Sequence, residues 1–250
     1  MNILMYHLVQ DLPGPMAVPP GHFREQMELL ADGPYTVVTE DDLHTMLDRG
    51  VPLPANAVLI TFDDGYANTV TTALPVLDRY RLPALMAVCG GYLGAERPRH
   101  VPHPVQEMAD LDQIQLWAAS GRAVAAHSYT HRNLTSLSDR ALDWQTAGDH
   151  EVLTDLLGRP PRTFAYPYGA YDARVQRAVA ARYPLALATD DHHPPDLSHP
   201  YALSRIQVDP GWSLHAFRTA LDSHTAPAAA QQAARTADAL IRTTPEEPRR

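Results

Sequence analysis

The sequence predicts an α/β protein that folds as a single-domain distorted (β/α)7 barrel. Three observations lead to this fold class. The chain of 250 residues is long enough for one large α/β domain. Short apolar, β-rich runs alternate with helical segments seven or eight times. Most of these runs are apolar throughout, as expected for parallel strands covered on both faces, and this number of alternations favours a barrel over an open doubly wound sheet.

The strands are predicted from runs of apolar and β-branched residues that are too short for helices. In chain order they are ILMYH (3–7), YTVVT (35–39), AVLITF (57–62), ALMAVC (84–89), AVAAHS (123–128), TFAYP (163–167), LALAT (185–189) and SRIQV (204–208).

Amphipathic segments between these runs are predicted as helices. The clearest is 139–157, because Ser138 can act as its N-cap and Gly158 with the following prolines ends it. The predicted helices are 22–31, 40–49, 69–80, 112–120, 139–157, 172–182 and 213–222.

The barrel is expected to occupy residues 1–224. Residues 225–250 are expected to form an Ala/Gln-rich C-terminal helix followed by a flexible tail, TTPEEPRR. The proline-rich stretch 95–104 is expected to run over the surface. Cys89 is the single cysteine, which excludes an internal disulfide and a Cys-rich zinc site, and we expect it to be a buried structural thiol.

The charge and hydropathy of the chain exclude several kinds of partner. The formal net charge of -9 argues against nucleic acid, which needs a basic surface. No apolar run reaches the roughly 18 to 20 residues that span a bilayer. The first ten residues lack the basic and apolar segments of a secretory signal, so we expect a cytoplasmic protein, or a secreted one if a leader has been removed.

In a β/α barrel, the residues just past the carboxyl ends of the strands line the site. Metal ligands and acid/base groups are concentrated at these predicted positions, whereas the helices carry ordinary surface charge. The residues selected by this criterion are His7, Asp63, Asp64, Cys89, Gly90, His127, His131, Tyr166–Gly169 and Asp190–His193.

Two adjacent carboxylates, Asp63 and Asp64, are costly at a buried strand end unless a cation lies beside them. His127 and His131 in HSYTH add two imidazoles. One carboxylate and two imidazoles form a three-ligand set with positions open for water and substrate, which is typical of a catalytic zinc or similar divalent ion. The other carboxylate can then accept a proton from water. Two unrelated surface histidines, or a magnesium site for phosphoryl transfer, are the alternatives at this point.

Taken together, three motifs resemble those of the polysaccharide deacetylases with a NodB-homology domain, carbohydrate esterase family four. The motifs are TFDDG (61–65), HSYTH (127–131) and RTFAYPYG (162–169), and the resemblance covers about residues 57–190. It implies a metal-dependent hydrolase that removes N-acetyl groups from amino sugars, and it implies the distorted (β/α)7 barrel that the alternation of elements predicts independently.

The resemblance also implies roles for individual residues. Asp64, His127 and His131 would bind a divalent metal, usually zinc in this family, with cobalt or nickel as alternatives. Asp63 would be the general base. The backbone N–H of Tyr168 would stabilise the oxyanion that forms on the attacked amide.

Two positions depart from the commonest pattern of this family. Ala165 stands where many members carry an arginine that orients the base, and no late Leu-x-His motif supplies a general acid. His7 is the expected acid, because a Tyr-His pair at the end of the first strand is similar to the deacetylases of poly-N-acetylglucosamine. His192 and His193 are the rival candidates.

Substrate contacts are expected from Tyr66, Tyr166, Trp212 and His193, whose rings can pack against a sugar, with the loop 91–110 as a further wall. The substrate is expected to be an N-acetylated poly- or oligosaccharide. One alternative is an intracellular deacetylase of a small acetamido sugar or other amide. Another, suggested by the two departures, is a catalytically weakened carbohydrate-binding protein on the same scaffold.

Overall fold

In the computed structural model, the described residues are 1–93, 107–189 and 195–225, and they contain ten strands and seven α-helices. The strands are β1 (Asn2–Tyr6), β2 (Leu8–Val9), β3 (Ala17–Val18), β4 (Thr36–Val37), β5 (Ala57–Phe62), β6 (Leu85–Val88), β7 (Ala123–Ala126), β8 (Thr163–Ala165), β9 (Leu185–Leu187) and β10 (Ile206–Gln207). The helices are α1 (Pro20–Asp32), α2 (Glu40–Arg49), α3 (Leu74–Tyr80), α4 (Leu111–Ala119), α5 (Asp139–Leu157), α6 (Ala173–Ala180) and α7 (Leu214–Thr225).

The main sheet is parallel and follows the order β10-β1-β5-β6-β7-β8-β9, with β4 beside β5. It curls so strongly that the chain just before β10 returns to β9. Leu203 bridges Leu187 of β9, and Ile206 then pairs with Leu4 of β1. This short segment joins the two ends of the path, and the predicted distorted (β/α)7 barrel is confirmed.

All eight predicted strands and all seven predicted helices are present, with shifts of a few residues at their ends. Helix α5 begins after Ser138, which accepts a hydrogen bond from the Ala141 N–H, and it ends at Gly158 with φ 67°. The predicted helix 69–80 is two elements, because a turn of π-helix over Thr69–Ala73 precedes α3. The small β2–β3 sheet was not predicted.

The strands separate two hydrophobic layers. Leu59 and Ala125 belong to a cluster inside the barrel, whereas Phe62 belongs to the larger cluster between the strands and the helices. Side chains alternate across a strand, so Asp63 and His127 continue the inward-facing positions of β5 and β7. The alternation therefore directs both residues toward the mouth of the barrel.

The remaining sequence predictions concern Cys89, the proline-rich stretch and the C-terminal tail. Cys89 is buried, and its thiol donates a hydrogen bond to the His127 carbonyl at 3.3 Å, so it is the structural thiol that was expected. The proline-rich stretch 95–104 and the tail beyond Thr225 lie outside the described residues. No helix within the described part of the chain combines the length and apolar character needed to cross a membrane.

Candidate active site

The three motifs lie at the carboxyl ends of three strands of the main sheet, β5, β7 and β8. Five non-glycine residues in the described ranges have a left-handed φ, and four of them lie in these motifs: Asp64 (75°), Ser128 (62°), His131 (51°) and Tyr168 (61°). Such backbone conformations cost free energy and persist only where the surrounding packing enforces them. Their concentration at one end of the barrel marks this end as the candidate active site.

Asp64, His127 and His131 converge on one point. Oδ1 of Asp64 lies 3.1 Å from Nε2 of His131 and 3.5 Å from Nε2 of His127. One donor atom from each residue lies within 4.8 Å of the other two, and all three residues are buried. Two imidazoles and one carboxylate form the donor set that zinc and similar divalent ions prefer, so these residues fit a divalent metal.

A backbone contact fixes the orientation of the His127 ring. Its Nδ1 lies 2.8 Å from the carbonyl oxygen of Ala165, and because a carbonyl can only accept, Nδ1 carries the hydrogen. In the neutral ring, the lone pair of Nε2 therefore faces Asp64, as metal binding requires. Burial lowers the pKa of His127, but the neighbouring carboxylates of Asp63 and Asp64 outweigh it and raise the pKa above its ordinary value.

The second carboxylate, Asp63, is held by an arginine that was not anticipated. Both oxygens of Asp63 accept hydrogen bonds from the guanidinium of Arg205, each at 2.7 Å, in a bidentate pair. One oxygen of Asp63 also lies 4.0 Å from Nε2 of His127. Burial alone would raise the pKa of Asp63, but the charges of Arg205 and His127 outweigh it and hold the pKa below its ordinary value.

Arg205 is itself buried, and its guanidinium makes further hydrogen bonds. Its Nε donates to the Ala188 carbonyl at 3.0 Å, and one terminal nitrogen also donates to Thr61 Oγ1 at 3.2 Å. The small side chain of Ala165 lies in the same barrel interior. The departure at position 165 therefore does not leave Asp63 without a cationic partner, because the partner comes from the other end of the chain.

His7 follows β1 at the same end of the barrel. Tyr6 pairs with Phe62, and the Asp63 N–H donates to the Tyr6 carbonyl at 2.9 Å, so His7 lies next to Asp63 in the register of β1 and β5. Burial lowers the pKa of His7, and the nearby charges of Asp64 and Asp63 offset this effect only in part. The structure thus brings the expected acid into the site. Its rivals, His192 and His193, lie outside the described residues.

Tyr168 lies in a tight turn directly after β8. Its ring meets the His131 ring edge to face, with centroids 4.6 Å apart, and 62% of the residue is exposed. Gly169 follows with φ 64°, and a Cβ there would lie 2.7 Å from Cβ of Thr189. A glycine is therefore required for the turn that places Tyr168 beside the metal ligands.

Two of the expected substrate residues do not offer a ring to a ligand. Tyr66 and Tyr166 are fully buried, so the expectation that they stack on a sugar is wrong. Tyr166 packs on Phe164, and its hydroxyl donates to the Tyr201 carbonyl at 3.1 Å. Trp212 is partly exposed, and His193 lies outside the described residues.

A parallel (β/α)7 barrel with this Asp-His-His group and these three motifs at its mouth defines a deacetylase, a hydrolase of acetyl groups. Residues 50–187, more than half of the chain, match the family Polysaccharide deacetylase. The chain belongs to this family, as its resemblance to the NodB-homology deacetylases predicted.

Two curated relatives illustrate the similarity. YxkH of Bacillus subtilis (strain 168), whose name assigns it to the polysaccharide deacetylases, is 28% identical over 224 residues, which cover 89% of this chain and 76% of YxkH. The poly-beta-1,6-N-acetyl-D-glucosamine N-deacetylase of Escherichia coli (strain K12) is 29% identical over 135 residues, which cover 51% of this chain but only 20% of the relative. The similarity to the second protein thus concerns a small part of its length.

Solved structures share the fold. The deacetylase PplD of Streptococcus pyogenes, in complex with acetate, superimposes with a TM-score of 0.77 at 21% identity and covers 88% of this chain and 97% of its own. IcaB from Ammonifex degensii superimposes with a TM-score of 0.72 at 23% identity, covering 88% and 95%. At these identities the likeness supports the barrel and its topology.

Proposed function

We propose that this protein is a metal-dependent N-deacetylase that hydrolyses the acetamido groups of an amino-sugar poly- or oligosaccharide. The observation that carries the proposal is the placement of a second, arginine-bound carboxylate, Asp63, 4.0 Å from a histidine of the Asp64-His127-His131 group. The Escherichia coli relative, named for N-deacetylation of poly-N-acetylglucosamine, supports the choice of substrate.

Asp64, His127 and His131 would hold the metal, with zinc favoured by the donor set and cobalt or nickel as alternatives. When bound, the ion supplies Lewis-acid chemistry: it polarises the acetyl carbonyl and lowers the pKa of the attacking water. The buried donors and the backbone contact to His127 keep the three ligand atoms in place for it.

Asp63 acts as the general base. Its depressed pKa keeps it ionised at neutral pH, so it can take a proton from the water as the water oxygen bonds to the acetyl carbon. The bidentate contact with Arg205 fixes the direction of its oxygens. The carboxylate is therefore already oriented to accept the proton when the water attacks.

The remaining steps fall to Tyr168 and His7. The backbone N–H of Tyr168 donates to the oxygen that becomes negative when the carbonyl is attacked. The C–N bond then breaks, its electron pair stays on nitrogen, and His7 donates the proton that the departing amine needs. The products are acetate and a free amino sugar.

The test is acetate release from a panel that contains an N-acetylglucosamine polymer, its oligomers, monomeric acetamido sugars and simple amides. The assay is run with chelator and then with re-added zinc, cobalt or nickel. We expect release from the sugar polymer or oligomers, loss with chelator, recovery with metal, and no release by Asp63→Asn. Acetate release from the small molecules alone would replace the polymeric substrate with a small acetamido sugar or amide. Sugar binding without any acetate release would identify a carbohydrate-binding protein instead.

A further inference from the structure

A buried carboxylate outside the reaction scheme lies directly behind the metal ligands. Asp149, on α5, has no exposed surface. Its Oδ1 accepts the N–H of Gly90 at 2.7 Å, and its Oδ2 accepts the N–H of His127 at 2.9 Å. One side chain on an outer helix thus holds the residues that follow β6 and β7.

The backbone of His127 is held from both sides as a result. Its N–H is shared between Asp149 and the carbonyl of Val88, 3.0 Å away, while its own carbonyl accepts the Cys89 thiol. The Nδ1 contact to Ala165 then fixes the ring. These bonds leave the His127 imidazole little freedom to turn away from Asp64.

The lack of a side chain at Gly90 leaves room for this carboxylate. A Cβ at position 90 would lie 2.8 Å from Oδ1 of Asp149 and 3.3 Å from the Val152 side chain. Only glycine allows the carboxylate to approach this closely. Because a carboxylate has two acceptor oxygens and no donor, it also matches two N–H groups better than an amide or a hydroxyl would.

Within the described residues, the hydrogen-bond partners of Asp149 are backbone N–H groups, and no lysine or arginine is among the groups that influence its ionisation. Burying a carboxyl group without a cation beside it is costly. We propose that Asp149 is a positioning residue of the metal centre, which fixes His127 through its backbone and so sets the affinity for the metal. This inference rests on the metal-binding role of His127 in the proposed function.

The test compares Asp149→Asn with the wild type and with Asp155→Asn, an exposed carboxylate on the same helix. Burial raises the pKa of Asp149 to about 7, so the comparison is made above that pH. Zinc affinity is measured by competition with a chromogenic chelator, and the geometry of the site by the absorption spectrum of the cobalt-loaded protein. Thermal unfolding and circular dichroism report the fold.

We expect Asp149→Asn to bind zinc about 10- to 100-fold more weakly, the usual effect of losing a contact behind a metal ligand, and to shift the cobalt spectrum. Asp155→Asn should match the wild type. Gly90→Ala, which displaces the carboxylate but keeps it in the chain, should weaken zinc binding in the same way.

A folded Asp149→Asn or Gly90→Ala protein with wild-type zinc affinity and an unchanged cobalt spectrum would overturn the proposal. Loss of the fold in both variants would assign Asp149 to general stability and would overturn it as well. Failure of the wild type itself to bind zinc or cobalt would instead reject the proposed function, so the two failures are distinguishable.

Discussion

Arg205 and Asp63 form a buried, bidentate ion pair across 142 positions of the sequence, with both nitrogen–oxygen distances at 2.7 Å. The strand order explains the pairing. Arg205 precedes β10, β10 lies beside β1, and β1 lies beside β5, which Asp63 directly follows. The closure of the barrel therefore completes the site, because the last strand delivers the cation that holds the proposed base.

The first prediction concerns this pair. Arg205→Met leaves Asp63 buried without its cation, so the pKa of Asp63 should rise, and the acid limb of the kcat/KM profile should move to higher pH. The buried unpaired carboxylate should also cost roughly 3–5 kcal/mol of stability.

Arg205→Lys keeps the charge but loses the bidentate geometry, and we expect kcat to fall about 10- to 100-fold. Steady-state kinetics across pH and thermal unfolding provide the measurements.

Arg218→Lys is the matched control, because Arg218 is exposed and its pair with Asp222 is a surface contact of little energetic value. It should leave both the pH profile and the stability unchanged. A pH profile of Arg205→Met that coincides with the wild-type profile would show that Arg205 does not tune Asp63.

Most of the fold follows from local patterns in the sequence. The strand AVLITF (57–62) and the helix 139–157 were predicted with their observed bounds, because one is a short apolar run and the other has an N-cap and a glycine at its end. The π-turn at Thr69–Ala73 was not predicted, since it differs from an α-helix by a single hydrogen-bond register.

The site was predictable where its residues are adjacent in sequence, as in TFDDG and HSYTH. Arg205 was missed because its partner is distant along the chain, although an arginine inside the apolar run SRIQV was a signal of a buried charge. Asp149 was missed because its hydrogen-bond partners, Gly90 and His127, lie on other parts of the chain, and only the packing of α5 shows that this acid is buried. The sugar-stacking roles of Tyr66 and Tyr166 were wrong because position past a strand does not determine exposure.

The second prediction concerns the metal ligands. Asp64→Asn removes the carboxylate whose Oδ1 lies 3.1 Å from His131, so zinc affinity should fall by at least about two orders of magnitude, more than the loss of a contact behind a ligand costs. Metal analysis of the purified protein and zinc titration measure the effect. Asp112→Asn, at an exposed position on α4, should retain the wild-type affinity. Equal zinc affinity in the two variants would exclude Asp64 as a ligand.

The third prediction separates the acid from the base. His7→Gln should lower the hydrolysis of acetamides by about 10²- to 10⁴-fold, because the departing amine needs a proton. It should have little effect on 4-nitrophenyl acetate, whose leaving group departs without one. His22→Gln, at an exposed position on α1, is the control and should retain both activities. An equal loss on both substrates would show that His7 does not act on the leaving group.

The fourth prediction concerns the turn that carries Tyr168. Gly169→Ala places a methyl group 2.7 Å from Cβ of Thr189 in addition to the strain of φ 64°. Gly158→Ala at the end of α5 introduces the same kind of strain at φ 67° with no atom within 4 Å of the new Cβ, so it should cost only about 1–2 kcal/mol. Gly169→Ala should be the more destabilising of the two in denaturant unfolding. It should also lower kcat for acetamide hydrolysis, because the backbone N–H of Tyr168 is displaced, while Gly158→Ala keeps the wild-type kcat. Equal stability and equal kcat in the two variants would show that the turn at Gly169 does not position the Tyr168 N–H for the oxyanion.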